Sequence, residues 1–180
     1  LGDLGVFQSR EIFKADDYRC INYGIMEQSM ISFAAGISIT DSYPIVYSIT
    51  PFIVERCFEQ LKLDFGYNDN KGLIITAGGS FDYNKLGPTH FCPNDISLIT
   101  KANCKFIFLP WNEKDAENSI LEILENKPYS YLRLSSEQID EFVKPNDISK
   151  LNVRNMKKDI IIGLGPDSFL LSNYLELKLD

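Results

Sequence analysis

Arg19-Cys20-Ile21-Asn22-Tyr23-Gly24-Ile25-Met26-Glu27-Gln28-Ser29-Met30 is the stretch whose reading decides the fold. Cys20, Ile21 and Tyr23 predict a short buried strand, and Gly24 breaks it. Ile25, Met26, Met30, Ile31, Phe33, Ala34 and Ala35 then predict a strongly apolar helix. A helix of that composition is buried on most sides, so Glu27 is expected inside the protein or at an interface. Two readings of the carboxylate stand side by side. An anion at a helix N-terminus gains ~0.3–1 kcal/mol, with Gln28 and Ser29 helping to solvate it. A carboxyl group at a strand-to-helix turn is also placed to exchange a proton with a bound ligand.

Outward from this segment, strand and helix signals alternate. Gly2-Asp3-Leu4-Gly5 reads as the end of a strand entering a loop. Residues 44–49 predict a second strand, and Pro51 suits the first turn of a helix running to about Asp64. Residues 71–77 predict a third strand ending at Gly78-Gly79. The irregular stretch 80–93, rich in Gly, Pro and Asn, is the expected functional loop. Asn94 is a plausible cap for a short helix, and residues 104–109 predict a strand. Residues 112–126 predict an amphipathic helix with the stripe Ala116, Ile120, Ile123 and Leu124. Residues 128–134 predict a further strand. Residues 136–157 are polar and charged and read as a linker. Residues 158–180 open a new strand-to-helix unit that cannot bury both its faces alone, as expected of the start of a second domain.

Alternating strands and helices imply an α/β domain, a parallel sheet with helices on both faces. Ligands bind such sheets at the carboxyl ends of the strands. That edge gathers Asp3, Gly24 to Glu27, Ile49 to Phe52, Gly78 to His90, and Arg133, so Glu27 and the long loop are expected neighbours.

Composition sets outer limits. With 44% hydrophobic and 24% charged residues in 180, the chain can build one ordinary core. A net charge of −7 and a pI near 4.8 argue against nucleic acid or an anionic membrane as partner. No apolar run approaches the ~18 residues of a membrane span, and no signal peptide opens the chain. The first residue is Leu1, as expected of an excised or trimmed piece. The four cysteines, Cys20, Cys57, Cys92 and Cys104, show no C-x-x-C spacing, and with three in apolar stretches they read as reduced, buried thiols of a cytoplasmic protein rather than a disulfide frame or zinc site.

The single histidine, His90, lies in Gly87-Pro-Thr-His90. Alone it reads as a loop-structuring residue. Beside Glu27 it completes a pattern that closely resembles the pyrimidine-binding domain of the transketolase family, the thiamine-diphosphate enzymes. The matching pieces stand in family order: Gly2-Asp3-Leu4-Gly5, Asn22 to Met30, Ala34-Ala-Gly36, Pro44 to Ser48, Phe52 with Arg56 to Gln60, Gly87 to His90, and Tyr131-Leu-Arg133. The match covers residues 1–135, and the 158–180 unit resembles the start of the family's C-terminal domain.

The resemblance implies a thiamine-diphosphate-binding fold and assigns roles. Glu27 would hydrogen-bond N1′ of the cofactor's aminopyrimidine and favour the tautomer that removes the thiazolium C2 proton, leaving the carbanion chemistry to the cofactor. Phe52 would stack on the pyrimidine; otherwise it is a core aromatic at a helix start. Arg56 would sit near the ring or the Glu; otherwise it is a surface residue pairing with Glu55 or Asp64. Asp3 would join the cofactor contacts. His90 would move protons near the 4′-amino group and the substrate. Arg133 would bind a substrate phosphate or carboxylate; a strand-end ion pair is the competing reading.

Departures from the family pattern narrow the substrate. Leu86 replaces the Asp before Gly-Pro-Thr-His, Gly78-Gly-Ser80 replaces a loop histidine, and Phe7 replaces a small polar residue. The Phe52 to Arg56 spacing also differs by a residue from some relatives. These changes point away from the usual pentose phosphate and toward an unusual sugar or sugar phosphate. The family's diphosphate- and Mg²⁺-binding signature, Gly-Asp-Gly with a downstream Asn, is not in this sequence. The chain is therefore expected to hold half a site, with Mg²⁺ ligands on a diphosphate-binding half, in a homodimer or in a complex with a separate domain or subunit. Two alternatives remain: the beta subunit of a 2-oxo acid dehydrogenase, and a non-catalytic pairing module.

Overall fold

The computed structural model describes residues 1–4, 10–15, 18–79 and 81–135. The expected linker at 136–157 and second unit at 158–180 lie outside the described residues, as does Phe7.

A short helix α1 (Arg10–Ala15) precedes α2 (Glu27–Ser38). Strand β1 (Ile45–Ile49) leads into α3 (Thr50–Val54), α4 (Phe58–Gln60) and a π-helix (Leu61–Tyr67). Strand β2 (Gly72–Ala77) is followed by a 3₁₀ turn (Asn84–Leu86) and α5 (Asp95–Lys101). Strand β3 (Phe106–Phe108), α6 (Glu113–Asn126) and β4 (Tyr129–Leu134) complete the described chain. The four strands are parallel in the order β1-β2-β4-β3.

Side chains that alternate across β2 and β4 feed two separate cores, because successive residues of a strand point to opposite faces. On one face Val46, Ile74, Tyr129 and Tyr131 pack with Met30, Ile31, Ala34 and Ala35 of α2, Ile53 and Val54 of α3, Leu61, Phe65 and Ile99. On the other, Leu73 and Leu132 pack with Ile123 of α6, flanked by Ile120 and Phe108. Helices therefore cover both faces, as the alternation predicts. Buried on both sides, β2 reads as the continuous run Leu73-Ile74-Ile75 rather than as an alternating strand.

Three expectations change. Residues 20–23 form no strand: Tyr23 N donates to Leu1 O at 2.8 Å, but no ladder continues, and Ile21 is exposed. The helix expected over 51–64 is interrupted at 55–57, where Glu55 N and Arg56 N both donate to Pro51 O at 3.1 Å, and it resumes wound as a π-helix. Asn94 precedes α5 without a side-chain cap, and its Oδ1 instead faces the Cys92 thiol at 3.6 Å. Asn112 does cap α6, accepting from Asp115 N at 2.9 Å.

Candidate active site

The turn before α2 is built by Asn22. Its Oδ1 accepts from Asp3 N and from Gly24 N, both at 3.1 Å, while its Nδ2 donates to Asp3 Oδ1 at 2.9 Å. Gly24 then turns with φ +71°, a left-handed conformation that costs glycine little. Helix α2 starts at Glu27, which is 2% exposed although it opens the helix. Gly2 lies against it, tied to β1 by Gly2 N donating to Tyr47 O at 3.1 Å; a Cβ on Gly2 would stand 3.3 Å from Glu27 Cγ.

Glu27 meets a cation. Arg56 Nη1 donates to Glu27 Oε2 at 2.8 Å, and Gln28 Nε2 donates to the Arg56 carbonyl at 3.1 Å, so the first turn of α2 grips Arg56 twice. Among the described residues no hydrogen-bond donor meets Glu27 Oε1. The interruption at 55–57 brings Arg56 into position, and its guanidinium carbon lies 4.4 Å from the Phe52 ring centroid. Phe52 in turn meets His90 edge-on, ring centroids 5.2 Å apart at 66°. Thr89 Oγ1 lies 2.8 Å from His90 Nδ1 and holds the imidazole from its loop side.

Glu27, Arg56, Phe52 and His90 therefore form one continuous set at the carboxyl edge of the sheet. Neither Glu55 nor Asp64 pairs with Arg56; Asp64 accepts instead from Ser32 Oγ at 2.6 Å. Asp3 is exposed and, among the described residues, joins the set through Asn22. Arg133 is drawn elsewhere. It is 5% exposed, and its Nη1 donates to Asp95 Oδ1 at 2.9 Å. Tyr131 Oη donates to Asp95 Oδ2 at 2.7 Å and lies 2.9 Å from Thr76 Oγ1. Burial, reinforced by the Asp95 charge, pushes the Tyr131 phenol well above its ordinary range.

The sequence singled out neither Asn22 nor Asp95 for these contacts. An Asn two residues before a glycine is ordinary turn chemistry and was a usable signal for the first. Asp95 carries none, since its partners lie 36 and 38 positions away. Thiols adjoin the site without entering it. Burial, with Glu27 adding to it, pushes Cys57 up to about 12. Burial, then Glu55 and Asp95, does the same to Cys92.

Among the described residues this set has one carboxylate oxygen without a donor, a partly exposed aromatic ring and an imidazole against that ring. It suits a flat, nitrogen-bearing ring that exchanges a proton at its edge. Among the described residues no cluster of His, Cys, Asp and Glu could hold a metal ion, and no helix is long and apolar enough to cross a membrane.

An α/β domain with Glu27, Arg56, Phe52 and His90 gathered at its sheet edge is the class that fold and geometry define. The chain belongs to the transketolase pyrimidine-binding domain family, which matches residues 2–140. It is 31% identical over 169 residues to an uncharacterized 33.6 kDa protein in the fasciation locus of Rhodococcoides fascians, covering 92% of this chain and 53% of that one. It is 27% identical over 123 residues to one of the subunits of the apulose-4-phosphate transketolase of Actinobacillus succinogenes, covering 68% of this chain and 40% of the relative. The chain thus spans about half the length of these relatives, or less. A solved structure described as a split gene transketolase, inactive beta4 tetramer, superimposes with a TM-score of 0.68 at 23% identity, covering 82% of this chain and 47% of that one. The fold is accordingly the α/β thiamine-diphosphate-binding fold.

Proposed function

We propose that this chain is the pyrimidine-binding part of a transketolase-like thiamine-diphosphate enzyme that transfers a two-carbon ketol unit on a non-standard sugar. The observation that carries the reading is Glu27: buried, oriented by Arg56 through one oxygen, with the other oxygen lacking a donor among the described residues. Oε1 would meet N1′ of the aminopyrimidine and hold or release the proton there. Phe52 would offer its ring to the pyrimidine, and Arg56 would fix both Phe52 and Glu27. Asp3, through Asn22, would set the turn that presents Glu27 to the cofactor. His90 would carry protons between ligand and substrate. When bound, thiamine diphosphate supplies the carbanion chemistry.

The residues described fit the pyrimidine and offer nothing comparable for a diphosphate. Its Mg²⁺ ligands are therefore proposed on a diphosphate-binding domain or subunit paired with this chain, whether in a homodimer or a hetero-complex. Similarity to one of the subunits of a transketolase named for apulose 4-phosphate supports the split arrangement and an unusual sugar donor. Leu86, where an Asp is expected in sugar-phosphate relatives, supports it too. Arg133, whose charge is met by Asp95, enters this reading as a support for the His90 loop in place of the direct substrate contact.

The test is reconstitution. The complete complex should show ketol transfer that requires thiamine diphosphate and Mg²⁺, while the 180-residue chain alone binds the cofactor weakly and turns nothing over. Robust Mg²⁺-dependent turnover by the chain alone would refute the half-site.

A further inference from the structure

The segment between β2 and α5 carries His90, and one side chain meets both of its ends. At the far end, Arg133 Nη1 donates at 2.9 Å to Asp95, the first residue of α5, which is 0% exposed. At the near end the backbone of Gly79 lies on the same side chain: a Cβ there would stand 2.9 Å from Arg133 Nε and 3.2 Å from its Cδ. Gly79 does not have a positive φ, so what a side chain there would meet is the arginine rather than a backbone constraint. Between these ends Phe81 and Phe91 stack at 5.6 Å, drawing the segment together just before His90 leans on Phe52.

We propose that Arg133 is a positioning residue: paired with Asp95, it fixes both ends of the segment and thereby sets where His90 stands against Phe52. The proposal rests on the reading of His90 as the proton carrier of this site. An ion pair sealed under a loop is a costly way to gain stability, since apolar residues of similar volume often do as well. What it adds is directional. The carboxylate is fixed by Tyr131 Oη, itself within hydrogen-bonding distance of Thr76 on the adjoining strand, so Asp95 can hold the guanidinium in one orientation. Thr76 and Arg133 are register partners on β2 and β4, which makes the rigid centre of the sheet the reference frame for the loop.

The experiment uses the full-length polypeptide in complex with its diphosphate-binding half. Its histidine rings are ¹³C-labelled, and His90 is assigned by comparison with His90→Gln. Arg133→Met and Gly79→Ala are each expected to move the His90 ring resonances in the absence of cofactor, because the ring current from Phe52 changes, while the Ile31 methyl signals stay in place. In the same variants kcat should fall roughly 10²-fold, as for a displacement of about 1 Å, with the affinity for thiamine diphosphate unchanged. Arg133→Lys should recover part of both. A wild-type His90 resonance in folded Arg133→Met would overturn the proposal, as would a change confined to the sugar KM, the mark of direct substrate contact. Loss of fold in both Arg133→Met and Gly79→Ala would overturn it too, by assigning the pair to the core alone. A wild-type complex without thiamine-diphosphate-dependent turnover would refute the enzymatic reading and leave the resonance comparison to decide this one.

Discussion

Arg56 Nη1 reaches Glu27 Oε2 across 2.8 Å, joining the first turn of α2 to the break between α3 and α4, 29 positions on in sequence. The pair is lopsided: Glu27 is 2% exposed and Arg56 42%. The carboxylate is thus held from its solvent side by a cation that can still be hydrated, and that asymmetry decides what each partner's removal should do.

Glu27→Gln should leave the fold intact, because a carboxamide oxygen still accepts from Arg56, and an exposed guanidinium tolerates the loss of its counter-charge. In the complete enzyme, exchange of the cofactor's C2 proton should fall by ~10²–10⁴, the usual contribution of one positioned acid or base. Quenched NMR reads that exchange directly. Wild-type exchange in the variant would remove Glu27 from the proton path.

Arg56→Met should behave in the opposite way, because it strands a buried carboxylate. Breaking a fully buried pair costs roughly 3–5 kcal/mol, and the partial exposure of Arg56 brings the expected loss to about 1–2 kcal/mol. The midpoint of urea unfolding should drop accordingly. Arg56→Lys should keep the charge but lose the planar contact over Phe52, and recover stability better than activity. A midpoint identical to wild type in Arg56→Met would show that Glu27 has another source of compensation.

Two exposed apolar side chains flank the site. Ile25 and Met26, directly before Glu27, are 73% and 56% exposed. If a diphosphate-binding half covers this edge, Ile25→Asp should barely change the stability of the chain itself, within about 0.5 kcal/mol. It should weaken assembly at least tenfold, about 1.4 kcal/mol. Ile31→Ala, one helical turn past Glu27 and fully buried, should instead cost ~2–5 kcal/mol of stability. Calorimetric titration of the two halves against each other separates the cases. Equal assembly affinity for wild type and Ile25→Asp would place the interface elsewhere.

What was legible in the sequence follows from the range over which each signal acts. The runs Ile45–Ile49, Gly72–Ala77 and Tyr129–Leu134 declare themselves locally, and their alternation with helices fixes the parallel sheet. Glu27 was legible because a carboxylate at the head of so apolar a helix is anomalous within a few residues. The strand expected at 20–23 failed because Cys20, Ile21 and Tyr23 satisfy a strand pattern while only Leu1 offers a partner; strand propensity does not report whether a neighbour exists. The interruption at Glu55–Cys57 was also hidden, since Phe52, Ile53 and Cys57 fit a continuous helix. That interruption is what brings Arg56 onto Glu27. Arg133 could be read either as a substrate ligand or as an ion pair. Its partner Asp95, 38 positions away, is a product of tertiary packing alone.

The buried Cys57 and Cys92 and the partly buried Cys104 give a prediction about pH that needs no partner or ligand. Burial is the leading cause that lifts Cys57, Cys92 and Cys104 from an ordinary 9.0 to about 12. Each therefore keeps its proton in the folded chain at a pH where the unfolded chain has lost it. Between about pH 9 and 12 the unfolded state binds fewer protons, so stability falls as pH rises, by up to ~1.4 kcal/mol per pH unit for each thiol. Well below pH 9 the three thiols contribute almost no slope. The urea midpoint, nearly flat with respect to these groups from pH 7 to 8, should decline from pH 9 to 10.5, and Cys57→Ala should reduce the decline by about a third. Because the thiolate is the reactive form, alkylation by iodoacetamide at pH 8.5 should also spare all three in the native protein and reach them only after unfolding. Rapid native labelling of Cys57 would contradict its burial beneath Phe52, whose carbonyl accepts from its thiol at 3.2 Å, and with it the packing that holds α3 against Glu27.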